Sequence, residues 1–423
     1  MKVLLSAIAC HPELGSEAKV GWSTALAVSR IPEVEECHVM THIMAKTAIA
    51  REQEAGRGEK IFFHFFEEPF KYHPSRLLAR LQSWLLYRNW QRKSVDRAAR
   101  LHAKHEFALT HHVTYASWRM PPPLWRLPIP FVFGPVGGGG TTPPAFRSIL
   151  GPSARAFESL RMAATALSAH STELKLCCRN SSAIVAADTA TAKFLSVQGA
   201  KDVHHLCQVF FSERDASRFN TVMREETGDS DALKIFAGGN LEGRKGTQLS
   251  LQALALLKQK RVPFSFTYGG WGPDLEAMKH LTYQLGITEK VCFHQGYSGV
   301  DYTRQLNTSD VYLLPSIRET AGITMMEATI AGCYPIVLAG TGAGDIVERT
   351  GGTAIRAKTP QEAVHQIADK LEWCYHRRGE MHQEAEAAGE NMRQLYSENS
   401  YQEAMSEIYK GAITKHAQRP KEI

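Results

Sequence analysis

The sequence predicts an α/β protein built from two Rossmann-like, doubly wound domains that face each other across a deep cleft. Three observations support this class. Short apolar runs alternate with helical patterns along the chain, and this alternation restarts after about residue 210. The length of 423 residues also suits two domains better than one. In doubly wound sheets, ligands bind beyond the carboxyl ends of the strands, so the loops that follow strands are expected to carry the functional residues.

The first predicted domain covers residues 1–210 and contains six candidate strands. Helical patterns such as residues 17–31 and 45–56 separate the first three of them. Since parallel strands need crossover helices, we expect a parallel sheet with helices on both faces. The candidate strands cover residues 2–9, 36–42, 60–68, 107–115, 129–136 and 182–188.

The second predicted domain covers residues 211–395 and repeats this pattern. Residues 210–231, between the two halves, are polar and lack a clear period, so we place the linker there. Residues 396–423 read as a helical tail that could pack back onto the N-terminal domain. The candidate strands of this half cover residues 233–240, 264–270, 290–296, 310–316, 334–340 and 352–357.

Composition places the chain among soluble globular proteins. Charged residues make up 22% of the chain, and no apolar run approaches the roughly 20 residues that span a bilayer. The net charge of +6 suits anionic ligands or an anionic membrane but is too small to indicate nucleic acid. None of the eight cysteines forms a C-x-x-C pair, so we expect reduced thiols and a cytoplasmic protein, which could also lie peripherally on the inner face of the membrane.

The first ten residues, MKVLLSAIAC, allow two interpretations. They resemble a secretion signal with a lipoprotein-type Cys10, but they contain one basic residue and only about seven apolar ones. As a first strand leading into a glycine turn and a helix, they also account for the residues that follow. We therefore expect Cys10 to be a thiol at the end of a strand that is neither cleaved nor lipidated.

A glycine-rich loop, GGNLEGRKGT at residues 238–247, follows a candidate strand and precedes a helix. Its glycines let backbone amides approach a ligand, and Arg244 and Lys245 add two positive charges next to a helix start. This combination suits a diphosphate. The P-loop pattern is excluded because Arg244 stands where that motif requires lysine. The alternative is an ordinary turn with a solvated basic pair.

A second loop, RETAGITMMEA at residues 318–328, follows the strand predicted at 310–316. It places Glu319 and Glu327 on either side of a predicted helix start. Two carboxylates at this spacing could hold two sets of hydroxyl groups on one elongated ligand, because a carboxylate accepts two hydrogen bonds from a vicinal diol. The alternative is a pair of glutamates on a helix surface.

These motifs together resemble the retaining glycosyltransferases of family 4, which have the GT-B fold. The resemblance comprises the E-x7-E element, the GRKG loop, the N-terminal GSEAKVGW and the segment HHVTYASWRMP…PIPFVFGPVGGG, and it covers nearly the whole chain. It implies transfer of a sugar from a UDP-, GDP- or ADP-linked donor to a glycan, a lipid-linked sugar or a small molecule.

The resemblance assigns roles to residues of the second domain. Arg244 and Lys245 match the pair that neutralises the donor diphosphate. Glu319 matches the acidic residue at the transferred sugar, and Glu327 matches the residue that binds the ribose. The backbone of Gly322, Ile323 and Thr324 would touch sugar or phosphate.

In the first domain, the resemblance assigns Gly15 and Ser16 to a loop facing the donor diphosphate and sugar. A histidine after the fourth strand lies near the transferred sugar in this family. His111 is our first choice for that catalytic position and His112 the second.

We expect the reaction to need no metal and no other cofactor, because Arg244, Lys245 and helix N-termini can stabilise the leaving diphosphate. The adjacent histidine pairs at 111–112 and 204–205 lack the i, i+4 spacing of a helical zinc site, so we expect no structural metal in this protein. The family's usual mechanism has the acceptor attack from the face of the leaving group. A sugar-nucleotide epimerase or other GT-B enzyme, and a non-catalytic nucleotide-sugar-binding protein, remain the alternatives.

Residues 71–104 form a basic and aromatic segment with nine Lys or Arg and one acidic residue, Asp96. As a surface helix it would suit an anionic membrane and a lipid-linked acceptor. It equally suits a core helix with a solvated basic face.

Overall fold

The computed structural model describes residues 1–15, 17–68, 76–219 and 231–418. The chain forms two compact units. The first unit contains residues 1–139, 164–208 and 398–423, and the second contains residues 140–163 and 209–397. Ser16, one of the predicted donor-binding residues, lies outside the described residues.

The first unit has a seven-stranded parallel sheet in the order β3-β2-β1-β4-β5-β6-β7. Six of its strands fall on predicted runs, whereas the short edge strand β7 was not predicted. The strands are β1 (Lys2–Ser6), β2 (Glu36–His42), β3 (Ile61–Phe66), β4 (Leu109–His112), β5 (Phe131–Val136), β6 (Ala183–Ala186) and β7 (Val203–His205).

Six helices occur between residues 17 and 197 in the described part of the chain. They are α1 (Glu17–Ser29), α2 (Lys46–Glu54), α3 (Arg76–His105), α4 (Pro152–Ala169), α5 (Thr172–Asn180) and α6 (Thr189–Val197). The aromatic residues Trp90, Trp118, Phe131 and Phe133 are fully buried in the core between the sheet and these helices.

The second unit has a six-stranded parallel sheet in the order β10-β9-β8-β11-β12-β13. The strands are β8 (Leu233–Gly238), β9 (Phe264–Gly269), β10 (Val291–His294), β11 (Val311–Leu314), β12 (Tyr334–Leu338) and β13 (Thr353–Ile355). The helices are α7 (Glu213–Ser217), α8 (Thr247–Gln259), α9 (Leu275–Gln284), α10 (Gly299–Asn307), α11 (Ile323–Ile330), α12 (Gly342–Thr350), α13 (Pro360–His376) and α14 (Arg378–Leu395).

The last helix, α15 (Glu398–Ala417), belongs to the first unit. It contacts α1, and the Lys410 ammonium lies 2.8 Å from a carboxylate oxygen of Glu33. Conversely, residues 140–163 belong to the second unit, although the sequence prediction placed all of residues 1–210 in the first. Phe146 and Leu150 explain this difference, because both are buried in the second unit's core.

Both sheets change strand order between their third and fourth positions, at β1–β4 and at β8–β11. The carboxyl ends of those strands are where doubly wound sheets bind ligands. The prediction of two Rossmann-like parallel sheets is therefore confirmed. No helix in the described part of the chain has both the length and the apolar character required to cross a bilayer.

Candidate active site

The GRKG loop lies at the carboxyl end of β8 and is fixed against the segment after β11. Gly243, Arg244 and Lys245 form one 3-10 turn, and Gly246 caps α8 in the left-handed conformation, with φ of 67°. A Cβ at Gly246 would lie 2.0 Å from the carbonyl oxygen of Pro315, so only glycine fits there. The Ile317 amide also donates to the Arg244 carbonyl at 2.9 Å. These contacts bring the two predicted loops together.

Lys245 and Arg244 both point to Glu319. The Lys245 ammonium lies 2.5 Å from Glu319 Oε2, and Arg244 Nη1 lies 3.5 Å from the same oxygen. A second Arg244 nitrogen lies 2.7 Å from Glu242 Oε1. The side chains of Lys245 and Glu319 are only 10% and 12% exposed, so their pairing is little screened by water.

This pairing keeps Glu319 ionised. Burial by itself would raise the pKa of its carboxyl group, but the charges of Lys245 and Arg244 and a hydrogen bond from Lys245 hold the pKa below its usual value. The two cations and the carboxylate thus form a charged cluster at the ends of β8 and β11.

The start of α11 adds backbone donors to this cluster. Gly322 caps the helix in the left-handed conformation, with φ of 76°, and the helix begins at Ile323. The first amides of a helix have no partner within it, so those of Ile323 and Thr324 are suited to an anion or a sugar oxygen. The Thr324 hydroxyl oxygen lies 2.6 Å from the hydroxyl of Tyr312, a residue of β11.

Glu327 lies one turn further along α11. The hydroxyl group of Tyr302, in α10, donates to Glu327 Oε2 at 2.8 Å. Burial, together with the nearby Glu327 charge, raises the pKa of Tyr302, so this tyrosine remains a donor. Sequence analysis missed Tyr302, because it lies 25 residues before Glu327 and belongs to no motif.

In the first unit, His111 is fully buried in β4. Its Nδ1 lies 2.7 Å from the Tyr409 hydroxyl of α15, and its Nε2 lies 2.5 Å from the Gly134 carbonyl oxygen. Burial lowers the pKa of His111 to about 4, so the ring is neutral at neutral pH. Because both ring nitrogens already have partners, a contact with a transferred sugar would require this ring to rearrange.

His112 is also fully buried. Its Nε2 lies 2.9 Å from the Tyr87 hydroxyl oxygen, and its Nδ1 lies 3.3 Å from the Ser6 hydroxyl oxygen. Burial lowers the pKa of His112 to about 3, and the neighbouring His111 contributes. His112 therefore supports Tyr87, which lines a cavity at the strand ends.

The loop after β1 contains Gly15, which is exposed. A Cβ at Gly15 would meet nothing within 4 Å, so no packing requires glycine there. Its predicted ligand role stays a prediction. The nearby Glu17 was not singled out from the sequence, although its acidic side chain in the first turn of α1 was a usable signal. Its carboxylate accepts from the Tyr115 amide at 2.8 Å and so links the loops after β1 and β4.

An apolar cavity of about 560 Å³ lies at the carboxyl ends of β1 and β2. A neighbouring pocket of about 410 Å³ shares Trp84 and Met120 with it but is rich in arginine. The apolar cavity is lined among others by Ile8, Cys10, Leu14, Met44, Trp84, Tyr87 and Met120. The basic pocket is lined among others by Arg88, Arg92, Arg119, Trp125 and Arg126, with Asp96 and Glu173 as its acidic members.

Part of the chain matches a known protein family in sequence. Residues 219–407 match the sequence model of the family described as Glycosyl transferases group 1. This segment contains the charged cluster of Arg244, Lys245 and Glu319 and the whole of α11.

Two curated relatives illustrate the sequence similarity. The GDP-mannose-dependent alpha-(1-6)-phosphatidylinositol monomannoside mannosyltransferase of Mycolicibacterium smegmatis is 26% identical over 35% of this chain and 41% of its own length. The lipopolysaccharide glucosyltransferase WaaG of Escherichia coli is 30% identical over 35% of this chain and 40% of its own. The chain thus spans about two fifths of the length of these relatives.

Solved structures share the fold over the whole chain. HepE of Anabaena, solved with UDP and glucose, superposes with a TM-score of 0.58 at 17% identity and covers 96% of this chain and 98% of its own. WaaG, a glycosyltransferase involved in lipopolysaccharide biosynthesis, superposes with a TM-score of 0.56 at 16% sequence identity. The match covers 97% of this chain and 100% of WaaG. The family match thus covers less than half of the chain, and the solved structures show that the whole chain shares the GT-B fold.

Proposed function

We propose that this protein is a retaining, metal-independent glycosyltransferase of family 4. It transfers a sugar from a nucleoside diphosphate donor, with UDP, GDP or ADP as the nucleotide, to a glycan, a lipid-linked sugar or a small molecule. The observation that carries the proposal is the charged cluster of Lys245, Arg244 and Glu319 beside the start of α11.

The two cations would neutralise the leaving diphosphate. In the reaction, the bond between the anomeric carbon and the diphosphate oxygen breaks, and negative charge grows on that oxygen. Lys245 and Arg244 are already held in place by Glu319 and by backbone contacts, so little reorganisation is needed. The amides at Ile323 and Thr324 would add further donors.

The two glutamates would bind opposite ends of the donor. Glu319, kept ionised by its basic neighbours, would position the sugar and stabilise its developing positive charge. Glu327 would accept from the ribose hydroxyls, with Tyr302 holding its carboxylate.

Retention would follow from attack on the same face that the diphosphate leaves. The acceptor hydroxyl oxygen forms the new bond to the anomeric carbon, and its proton passes to the departing diphosphate. In this scheme no protein residue acts as the base, which is consistent with the two engaged nitrogens of His111.

The acceptor site would lie in the first unit, and its lining favours a lipid-linked acceptor. The apolar cavity suits a chain or ring, and the adjacent arginine pocket suits an anionic group carried by the same molecule. The mycolicibacterial relative is named for a phosphatidylinositol monomannoside acceptor, a molecule with apolar chains and an anionic phosphate.

The described part of residues 71–104 fits both interpretations of that segment. Trp90 is fully buried, and Arg97 lies 2.6 Å from the buried carboxylate of Glu68, as in a core helix. Trp84 and Leu85 are exposed near Arg88, which leaves a surface suited to an anionic membrane. Residues 71–75 lie outside the described residues. Flotation with anionic vesicles at low salt tests this surface, and a protein that stays unbound rejects membrane docking.

A ligand screen tests the donor assignment. We expect UDP, GDP or ADP, alone or as the sugar conjugate, to raise the melting temperature of the purified protein. A nucleotide at 100 times its dissociation constant should add about 2.7 kcal/mol of stability. Glu327→Gln should weaken the binding of that nucleotide by roughly 10- to 100-fold, since a charge-assisted hydrogen bond contributes roughly 1.5–3 kcal/mol.

Glu386→Gln, in α14, serves as the matched control and should bind like the original protein. Failure of all three nucleotides to stabilise the protein would contradict the proposal. If a nucleotide does bind, radiolabelled transfer to an added acceptor, compared with release of free nucleotide without one, separates a transferase from an epimerase.

A further inference from the structure

Three histidines meet at a place that the proposed transfer reaction does not use. His38 comes from β2, His64 from β3 and His105 from the last position of α3. One ring nitrogen of each lies within 4.8 Å of the others, and His38 Nδ1 is 2.9 Å from His64 Nε2. Sequence analysis could not foresee this cluster, because its members are separated by 26 and 41 residues.

The cluster lies away from the strand ends that bind ligands. His38 is the third residue of β2, and the last turn of α3 leads into the amino end of β4. The pairing of Met40 with His64 puts His38 and His64 on one face of the sheet, two residues apart in register. His105 approaches that face from α3, with its ring centroid 4.4 Å from that of His38.

A carboxylate fixes the orientation of His38. Glu36 Oε2 lies 2.9 Å from His38 Nε2, and Lys2 holds the same oxygen at 3.3 Å. A carboxylate accepts only, so His38 Nε2 carries the hydrogen and Nδ1 presents its lone pair toward His64. Metal-binding histidines are commonly oriented by a carboxylate in this way.

The surroundings also suit an ion. His38 is 1% exposed and stacks on Phe62, whereas His64 and His105 are only partly buried, which leaves a route from solvent. In a tetrahedral zinc site with bonds of 2.0–2.1 Å, ligand nitrogens lie about 3.3 Å apart. Small ring movements would bring the three nitrogens to that spacing.

We propose that His38, His64 and His105 form a transition-metal site in the first unit, with Glu36 as its positioning residue. Three imidazoles favour Zn²⁺, Co²⁺ or Ni²⁺ over Mg²⁺ or Ca²⁺, which prefer oxygen ligands. Three protein ligands leave one position for water. The ion would tie the edge strand β3 and the end of α3 to β2, so its role is to stabilise the first unit.

The test uses the full-length protein without a histidine tag, stripped with chelator. We expect Zn²⁺ to bind at one equivalent by calorimetry and to raise the melting temperature by about 5 °C at 100 times its dissociation constant. Co²⁺ should give the absorption bands of a tetrahedral site, and Mg²⁺ should bind no tighter to the original protein than to His64→Gln. His64→Gln and His105→Gln should each lose at least tenfold in affinity, and Glu36→Gln about tenfold.

His205→Gln is the control, because His205 is an exposed histidine in β7 of the same unit. It should bind Zn²⁺ like the original protein. Binding below 0.1 equivalent, or unchanged binding in both His64→Gln and His105→Gln, would show a hydrogen-bonded histidine cluster only and overturn the proposal. Circular dichroism of each variant confirms folding. Nucleotide binding by the stripped protein reports separately on the proposed transfer activity.

Discussion

The two sheets of this protein share a strand order but differ in the chemistry at the point where that order reverses. In the first unit, β4 carries His111 and His112, two buried neutral rings whose nitrogens all have partners. In the second unit, the ends of β8 and β11 hold Lys245 and Glu319 as a charged pair at 2.5 Å. The same strand order therefore places neutral, buried side chains at one reversal point and an ion pair at the other. Four experiments test this contrast.

The largest expected effect is a pH dependence confined to the first unit. The folded-state pKa values of His111 and His112, about 4 and about 3, lie below the usual 6.5, so the unfolded chain binds more protons between these limits. Their stabilisation is complete above pH 6.5 and is lost as pH falls. We expect a loss on the order of 2 kcal/mol per histidine between pH 6.5 and 4.5.

Glu319 affects stability only at lower pH. Its pKa is held below the usual 4.5, so its contribution is present above 4.5 and is lost only as pH falls through the folded value. Hydrogen exchange of β4 and β11 peptides, corrected for intrinsic rates, separates the two regions. Equal loss of protection in both strands between pH 6.5 and 5 would contradict the contrast.

The next effect concerns the charged cluster itself. Lys245→Ala should lower the transfer rate about 10²–10³-fold, which corresponds to roughly 3–4 kcal/mol of transition-state stabilisation. Lys279→Ala removes an exposed lysine paired with Glu276 on α9 and should leave the rate unchanged. A Lys245→Ala protein that retains its fold and transfers at the original rate would refute the diphosphate role.

A smaller effect is expected at the partner of His111. Tyr409→Phe leaves Nδ1 of a buried imidazole without its hydroxyl partner, which should cost about 1–3 kcal/mol of unfolding free energy. Nucleotide affinity should be unaffected, since His111 lies within the first unit's core. Tyr302→Phe is the matched change in the second unit, where nucleotide affinity should fall. Thermal melts with and without nucleotide would show whether the two effects separate as expected.

The smallest stability effect is expected at Gly15. An added Cβ would enter open space, so Gly15→Ala should change the unfolding free energy by less than about 0.5 kcal/mol. Gly246→Ala is the contrasting change, because its Cβ would collide with the Pro315 carbonyl oxygen. If Gly15→Ala lowers the affinity for the nucleotide-sugar donor without changing the unfolding free energy, the predicted ligand role of that loop gains support. Unchanged donor affinity would contradict that role.

Local sequence patterns were enough to predict the order of the elements and the four charged side chains of the candidate site in the second unit. Buried parallel strands are continuous apolar runs, so twelve of the thirteen strands in the described part of the chain could be predicted from local pattern. The strand β7 was missed because two of its three residues are histidines. The charged residues of the candidate site lie in loops or helix starts that directly follow a strand in the sequence, so a local motif is enough to find each of them. They are Arg244, Lys245, Glu319 and Glu327.

The partners of those side chains depend on tertiary packing. Tyr409 reaches His111 across 298 residues of sequence, and Tyr302 reaches Glu327 from another helix. The assignment of residues 140–163 to the second unit rests likewise on the burial of Phe146 and Leu150 in that unit's core. Local sequence pattern records whether a residue is buried, but not what it is buried against, because that depends on how distant elements pack.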